Sequence, residues 1–579
     1  MKRLVFVVIY SLLTAKLAWG DSSFYLDPKS RFHPVIGDKG MVVSQEAIAS
    51  KVGAEILQAG GNAVDAAIAT GFALAVTLPR AGNLGGGGFM LIHLAEQNKT
   101  VAIDYREMAP AAANRDMFLN IEGDVDNAKA RYSAQSSGVP GTVAGLVYAQ
   151  EKYGVLTLRE VLKPAIKLAR HGFTVSPDLS DSLRSRHERL RKHETTRGYF
   201  YKPGGGFYVP GDKLSQADLG ATLARIEAYG ADGFYKGKTA KLIVDQMQRS
   251  GGLITYEDLE NYRVYERQPI CGSYRSISLC AMPPPSSGGI HLVQMLNTLE
   301  NWTLSEYPHN SAAHLHLMVE AMRQAYADRS LYLGDSDFVT VPLTELTSKE
   351  YAKQLSSKIN LDTARNSKDV LPSADLARFN QVQESEETTH FSVWDKEGNV
   401  VSNTYTLNFS YGNGIAVGGA GFLLNNEMDD FSAKPGAQNG YGLVGGDANS
   451  IEPFKRPLSS MTPTIVFDDK GKPILALGSP GGSTIITIVM QMIINMIDYD
   501  MGIAEATAAP RIHHQWLPDV VYYEKGISAD TLNVMKDLGH VINDEPNVMG
   551  ATQCISRERG RLSGVSDPRR HGSAAIPES

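Results

Sequence analysis

The chain has 579 residues, 43% of them hydrophobic and 21% charged, and carries a formal net charge of −7. That balance excludes a disordered or fibrous chain and allows a large core or more than one domain. The acidic excess argues against nucleic acid as a partner.

The first 20 residues carry Lys2-Arg3, an apolar run from Leu4 to Leu13, and Ala18-Trp19-Gly20 with small residues at the first and third positions before a cut. This is the pattern of a secretory signal peptide cleaved after Gly20, and its apolar part is too short to span a bilayer. Losing Lys2, Arg3 and Lys16 leaves 53 basic against 63 acidic residues, a mature formal charge of −10. The expected location is the periplasm or the cell exterior.

Helices and glycine turns follow. Ser44 is placed to cap a helix ending at Gly60-Gly61. Asn62 is placed to cap a second, Ala63 to Leu78, which is apolar all round and therefore buried. Asn83 to Gly88 precedes a strand, Phe89 to Leu94, which inverts the strand-glycine-helix order of a phosphate loop. These glycines are read as places where backbones pack closely or line a pocket. Arg106 comes directly after an alternating strand, Thr100 to Tyr105, and an isolated Arg there is ordinarily a surface residue.

Thr157 and Glu160 form a capping box for a helix ending at Gly172, and Ser311 to Arg329 is expected to be a long amphipathic helix of the scaffold. Pro283 to Gly289 is a rigid turn before a helical pattern, Ile290 to Glu300. The three cysteines lack CxxC spacing, so no metal is expected. Cys271 and Cys280 flank a hairpin turn. Either they remain two buried thiols or, after export, they pair and close a loop worth about 2.7 kcal/mol on the chain-entropy model.

Gln381 to Glu387 (QVQESEE) is polar, acidic and aperiodic, an exposed or mobile stretch. It runs into two strand patterns, Thr388 to Asp395 and Val400 to Leu407, joined by a turn. Antiparallel partners have numbers that sum to a constant, so a turn centred near Glu397 sets Thr406 opposite Thr388. Thr388 is then either an ordinary β-branched strand residue or a nucleophile. In the second reading its base is its own α-amine, freed by a cut before it, with an ordinary pKa of about 7.7 to 8.0.

Downstream, Pro435 to Asp447 with its single Tyr441 is either a cover over a site or a surface connection. Strands Thr464 to Phe467 and Ile474 to Leu477 lead to Ser479-Pro480-Gly481-Gly482-Ser483 and a hydrophobic helix, Thr484 to Ile497. The Gly481 and Gly482 N–H groups then either point at an anion from a helix N-terminus or form a tight turn of positive φ. His513-His514 is read as structural, and Arg569-Arg570-His571 as a solvated tail.

Seven colinear segments carry a resemblance: GGNAVDAAIA from Gly60, DYREMAP from Asp104, PPPSSGGIH from Pro283, ETTHFSV from Glu387, NNEMDDFS from Asn425, KRPLSSMTPT from Lys455 and GSPGGS from Gly478. From about Val35 to about Pro568 the chain resembles the bacterial γ-glutamyltranspeptidases of the N-terminal-nucleophile hydrolase superfamily. The resemblance implies a four-layer αββα sandwich and a precursor that cuts itself between Glu387 and Thr388. Its products would be a large subunit (21–387) and a small one (388–579) that stay together as a heterodimer. It further implies Thr388 as nucleophile with Thr406 as its hydrogen-bonded partner, and Gly481 and Gly482 as oxyanion donors. Arg106, Ser459 and Ser460 match carboxylate-binding positions, and Asn408, Glu427 and Asp430 match ammonium-binding ones, with Tyr441 on a lid at 435–446. Glu427 departs from relatives that have Gln there. The implied substrates are glutathione and other γ-glutamyl compounds, with water, amino acids or peptides as acceptors and no cofactor. An acylase of the same fold acting on glutaryl amides and a non-catalytic binding protein are the alternatives.

Overall fold

The computed structural model describes residues 32–370 and 388–579. The expected signal segment, the acidic stretch before Thr388 and Glu387 itself lie outside the described residues.

Two seven-stranded antiparallel sheets form the centre. The first runs in the order Ala574–Pro577, Met41–Ser44, Thr388–Trp394, Val400–Thr406, Gly87–Leu94, Lys99–Tyr105 and Tyr265–Arg267. The second runs Val35–Gly37, Arg561–Ser566, Gln553–Glu558, Pro473–Leu477, Thr464–Phe467, Ile277–Ala281 and Ile270–Tyr274. Strand periodicity sorts their side chains into layers. Met41, Val43, Phe89 and Leu91 point between the sheets and meet Ile465, Phe467, Ala476 and Ile555. Their neighbours Val42, Met90 and Ile92 point outward, onto helices that include Ala63–Thr77 and Thr142–Tyr153. On the far side, Leu279, Val466 and Leu475 pack against Gly288–Leu299, Ala312–Tyr332 and Ile485–Ile497. The result is the expected αββα sandwich.

The predicted hairpin forms with the expected register, Thr388 opposite Thr406 and Trp394 opposite Val400. Polar side chains between the sheets bind it to the second one. His390 Nδ1 meets Thr404 Oγ1 at 2.8 Å and its Nε2 meets Ser392 Oγ at 3.1 Å, while Ser392 Oγ donates to Gln553 O and Ser402 Oγ to Leu477 O. Burial pushes His390 down to about 3, so it is neutral at working pH.

Several local expectations change. The first helix, Ala47–Gln58, is capped by Glu46, whose carboxylate accepts from Ala49 N at 2.9 Å, because Ser44 is spent in the adjoining strand. Asn62 does cap Ala63–Thr77, reciprocated by Asp65. The Ala312–Tyr332 helix has no wet face: His314, His316, Glu320, Arg323, Asp328 and Arg329 are all buried. Cys271 and Cys280 face each other across paired strands and are disulfide-bonded. The supposed solvated tail is anchored, since Arg569 is ion-paired with Glu524 and Asp567. His513 and His514 are buried and hydrogen-bonded, to Thr487 and Gln515 and to Asp519 respectively.

Candidate active site

The open end of the central hairpin is where the expected residues converge. Thr388 Oγ1 donates to Thr406 Oγ1 at 3.4 Å, and Thr406 Oγ1 also accepts from Asn408 N at 2.9 Å. Both threonines are nearly enclosed. The glycine run explains how the chain gets so close. A Cβ on Gly86 would lie 1.9 Å from Thr406 O, and one on Gly85 would lie 2.1 Å from Leu423 O, so only glycine fits between these backbones.

Above Thr388 lies a cavity of about 20 Å³, with room for one or two waters, whose walls include Thr388, Thr406, Arg106, Asn408, Glu427, Asp430, Tyr441, Ser459, Ser460 and Gly482. Of the residues implied by the resemblance and described here, Gly481 alone stands one step behind the wall. Both turn glycines have positive φ, 135° and 53°, and precede a 3-10 turn that enters the Ile485–Ile497 helix. Glycine is therefore needed for the backbone, and the Gly481 and Gly482 N–H groups donate to nothing among the described residues.

Arg106 contradicts its expectation as a surface residue: it is wholly buried, and its guanidinium is ion-paired with both Glu427 and Asp430. Glu107 Oε2 lies 3.7 Å from the same group. Burial alone would lower the Arg106 pKa, but these carboxylates outweigh it and hold the charge. Burial lifts Glu107 to about 7 and Glu427 well above the usual carboxyl range, with Arg106 opposing both shifts. Asn408 Oδ1 and Glu427 Oε2, both buried at this end, accept no hydrogen bond among the described residues. A ligand ammonium would satisfy both.

Ser459, Ser460 and Arg329 line the same cavity. Ser459 is held by the proline turn, its carbonyl accepting from Ser287 N at 2.8 Å and from Ser287 Oγ at 2.9 Å. Ser460 Oγ accepts from Arg329 Nη2 at 3.4 Å. Sequence reasoning missed Arg329 by assigning its helix to scaffold. The available signal was charged residues on every face of that helix, which no one-sided amphipathic pattern produces.

Tyr441 closes the remaining side. Its hydroxyl donates to Asn408 O at 2.8 Å, its ring packs edge-on against Phe409, and a Cβ on Gly482 would sit 2.4 Å from its Cδ1. The Pro435–Gly446 segment therefore lies directly over the glycine turn. A separate cluster with metal-ligand chemistry is formed by His316, Glu320 and His540. His316 bonds to His540 at 2.8 Å and to Asn360 O at 2.7 Å, while Glu320 is ion-paired with Arg323 and Arg365.

Comparison with known proteins agrees with this geometry. The family profile described as gamma-glutamyltranspeptidase matches residues 49–576. A protein of Escherichia coli (strain K12) named glutathione hydrolase proenzyme is 54% identical over 540 residues, 93% of this chain and 92% of its own. The crystal structure of Helicobacter pylori gamma-glutamyltranspeptidase is 47% identical with a TM-score of 0.55, covering 56% of this chain and 93% of that one. The crystal structure of a cephalosporin acylase from Bacillus halodurans is 25% identical with a TM-score of 0.82, covering 96% of this chain and 99% of that one. With a profile match across most of its length and a relative more than half identical over nearly all of it, the chain belongs to the gamma-glutamyltranspeptidase family.

Proposed function

We propose that this protein is an exported γ-glutamyl hydrolase and transferase that matures by cutting itself before Thr388. One observation carries the reading: a threonine paired with a second threonine shares a single small cavity with a glycine turn and with walls that carry both cationic groups, Arg106 and Arg329, and acidic ones, Glu427 and Asp430. Those walls suit the two charges of an α-amino acid, which is the free end of a γ-glutamyl group.

In maturation, Thr388 Oγ attacks the Glu387 carbonyl, the Glu387–Thr388 C–N bond breaks with the proton passing to nitrogen to leave an ester and a free Thr388 α-amine, and water then hydrolyses that ester to the Glu387 carboxylate and the Thr388 hydroxyl. In turnover that amine takes the Oγ proton as Oγ attacks the γ-carbonyl carbon. The developing oxyanion is met by the glycine turn, where one such donor is worth about 2.7 to 4 kcal/mol. The leaving amine takes the proton, a γ-glutamyl ester on Thr388 remains, and water or an acceptor amino acid or peptide resolves it. Asn408, Glu427 and Asp430 receive the donor's ammonium, Arg106, Ser459 and Ser460 its carboxylate, and Tyr441 closes the lid. The reading of the first 20 residues supports a periplasmic or secreted location, and no helix among the described residues is long and apolar enough to cross a membrane.

The test is a denaturing gel with N-terminal sequencing. Wild type is expected to give two bands, the smaller beginning at Thr388, and Thr388→Ala a single uncut chain. A single band from active wild-type protein refutes self-cleavage. Faster release from a glutaryl anilide than from the γ-glutamyl anilide would favour the acylase reading, in which Asp430 and Glu427 meet no ammonium.

A further inference from the structure

Arg329 is 5% exposed and borders both the Thr388 cavity and an adjoining one beneath the Pro435–Gly446 segment. Its Nε donates to Ser287 Oγ at 3.1 Å and its Nη2 to Ser460 Oγ at 3.4 Å. It forms no ion pair among the described residues, and Asp430, the carboxylate whose field reaches it, is already paired with Arg106. Burial lowers its pKa, yet a guanidinium stays charged in proteins. Thus the two buried arginines of this site differ in kind. Arg106 is surrounded by three carboxyl groups, whereas among the described residues the Arg329 guanidinium donates to two hydroxyls.

A guanidinium has five N–H donors in a planar fork, and two of those on Arg329 are engaged. Because Arg can only donate, it occupies a lone pair of Ser460 Oγ and leaves the Ser460 hydrogen to point elsewhere. Arg329 and Ser460 therefore offer free donors to the same cavity that Glu427 and Asp430 line, and no carboxylate is paired with Arg329 among the described residues. A buried cation without a counter-charge is costly, and an entering carboxylate removes that cost.

We propose that Arg329 is a specificity-determining residue, a second cation that works with Ser460 and beside Arg106 to receive the donor's α-carboxylate. The proposal rests on the γ-glutamyl reading above and deepens it. It is tested by steady-state kinetics of mature wild type and Arg329→Gln on γ-glutamyl-p-nitroanilide and on 4-aminobutanoyl-p-nitroanilide, the same donor without its α-carboxylate. Arg329→Gln is expected to lose about 100-fold in kcat/KM on the γ-glutamyl donor, chiefly through KM, as truncating one partner of a buried charge pair does. On the decarboxylated donor it should stay within about twofold of wild type, as for an independent site. Equal losses on both donors would mean a merely structural role and overturn the proposal, as would no loss on either. Arg329→Lys keeps the charge without the fork and should recover about tenfold on the γ-glutamyl donor alone. If Arg329→Gln does not mature, Arg329→Lys decides, and a wild-type ratio between the two donors refutes the idea. Failure of wild type itself to use γ-glutamyl donors would instead sink the underlying function.

Discussion

Glu107→Gln should stabilise the protein at neutral pH and leave it unchanged near pH 4.5. Glu427 and Glu107 are both buried beside Arg106, with Asp430, Arg329 and Tyr441 lining the same cluster. Burial raises Glu107 to about 7 and also lifts Glu427 above its ordinary value, so the folded pair keeps a proton that the unfolded chain releases near 4.5. Since the folded state binds more protons, stability is full below about pH 4.5 and declines as pH rises toward the folded value. A rise from 4.5 to about 7, at about 1.36 kcal/mol per pH unit, makes the loss about 3 kcal/mol by pH 7. Glutamine at 107 keeps the volume and a carbonyl near Arg106, and its amide can donate to Glu427 without titrating. Urea melts of mature wild type and variant between pH 4.5 and 8 should coincide at the acid end and separate by about 3 kcal/mol at pH 7. The reasoning is refuted if the two share one pH slope, or if the variant is the less stable at pH 8.

Asp430→Asn should still be cut before Thr388 but lose preference for γ-glutamyl over glutaryl anilides by about 30-fold or more. Wild-type selectivity in that variant would show that the ammonium is held elsewhere. Gly482→Ala combines a φ of 53° with a Cβ 2.4 Å from the Tyr441 ring, so lid and turn must both shift. Its kcat should fall about 100-fold, the scale of losing an oxyanion donor, and an unchanged kcat would exclude the turn from catalysis. Thr406→Val removes the acceptor of both Thr388 Oγ1 and Asn408 N. It should destabilise by about 1 to 3 kcal/mol and slow maturation, checked by melts and by the gel time course.

What was legible in the sequence was what local periodicity encodes. The hairpin alternates, its turn is short, and those two facts alone put Thr406 opposite Thr388. The glycine runs also announced close backbone approach before any partner was known. Distant partners left no local trace. Arg106 is buried because Glu427 and Asp430 lie more than 300 residues away, and Arg569 is anchored by Glu524, 45 residues back. The Ala312–Tyr332 helix was misjudged for the same reason, since cover on all its sides comes from other parts of the chain. Ser44 lost its expected cap because pairing with Phe391 and Ala574 keeps it in a strand.

The strand order bears on what a break in the chain does. Thr388–Trp394 lies between Met41–Ser44 and Val400–Thr406, which in turn lies against Gly87–Leu94, and Ala574–Pro577 closes over Met41–Ser44 from the other edge. The segments on either side of residue 388 thus alternate within one sheet like interleaved fingers. A chain severed there keeps every rung of both ladders, and prying the pieces apart would require unzipping the sheet along three seams at once. The nick should therefore cost the assembled protein no strand pairing. Refolding from separated pieces should be concentration-dependent, because the two halves of each seam no longer share a tether.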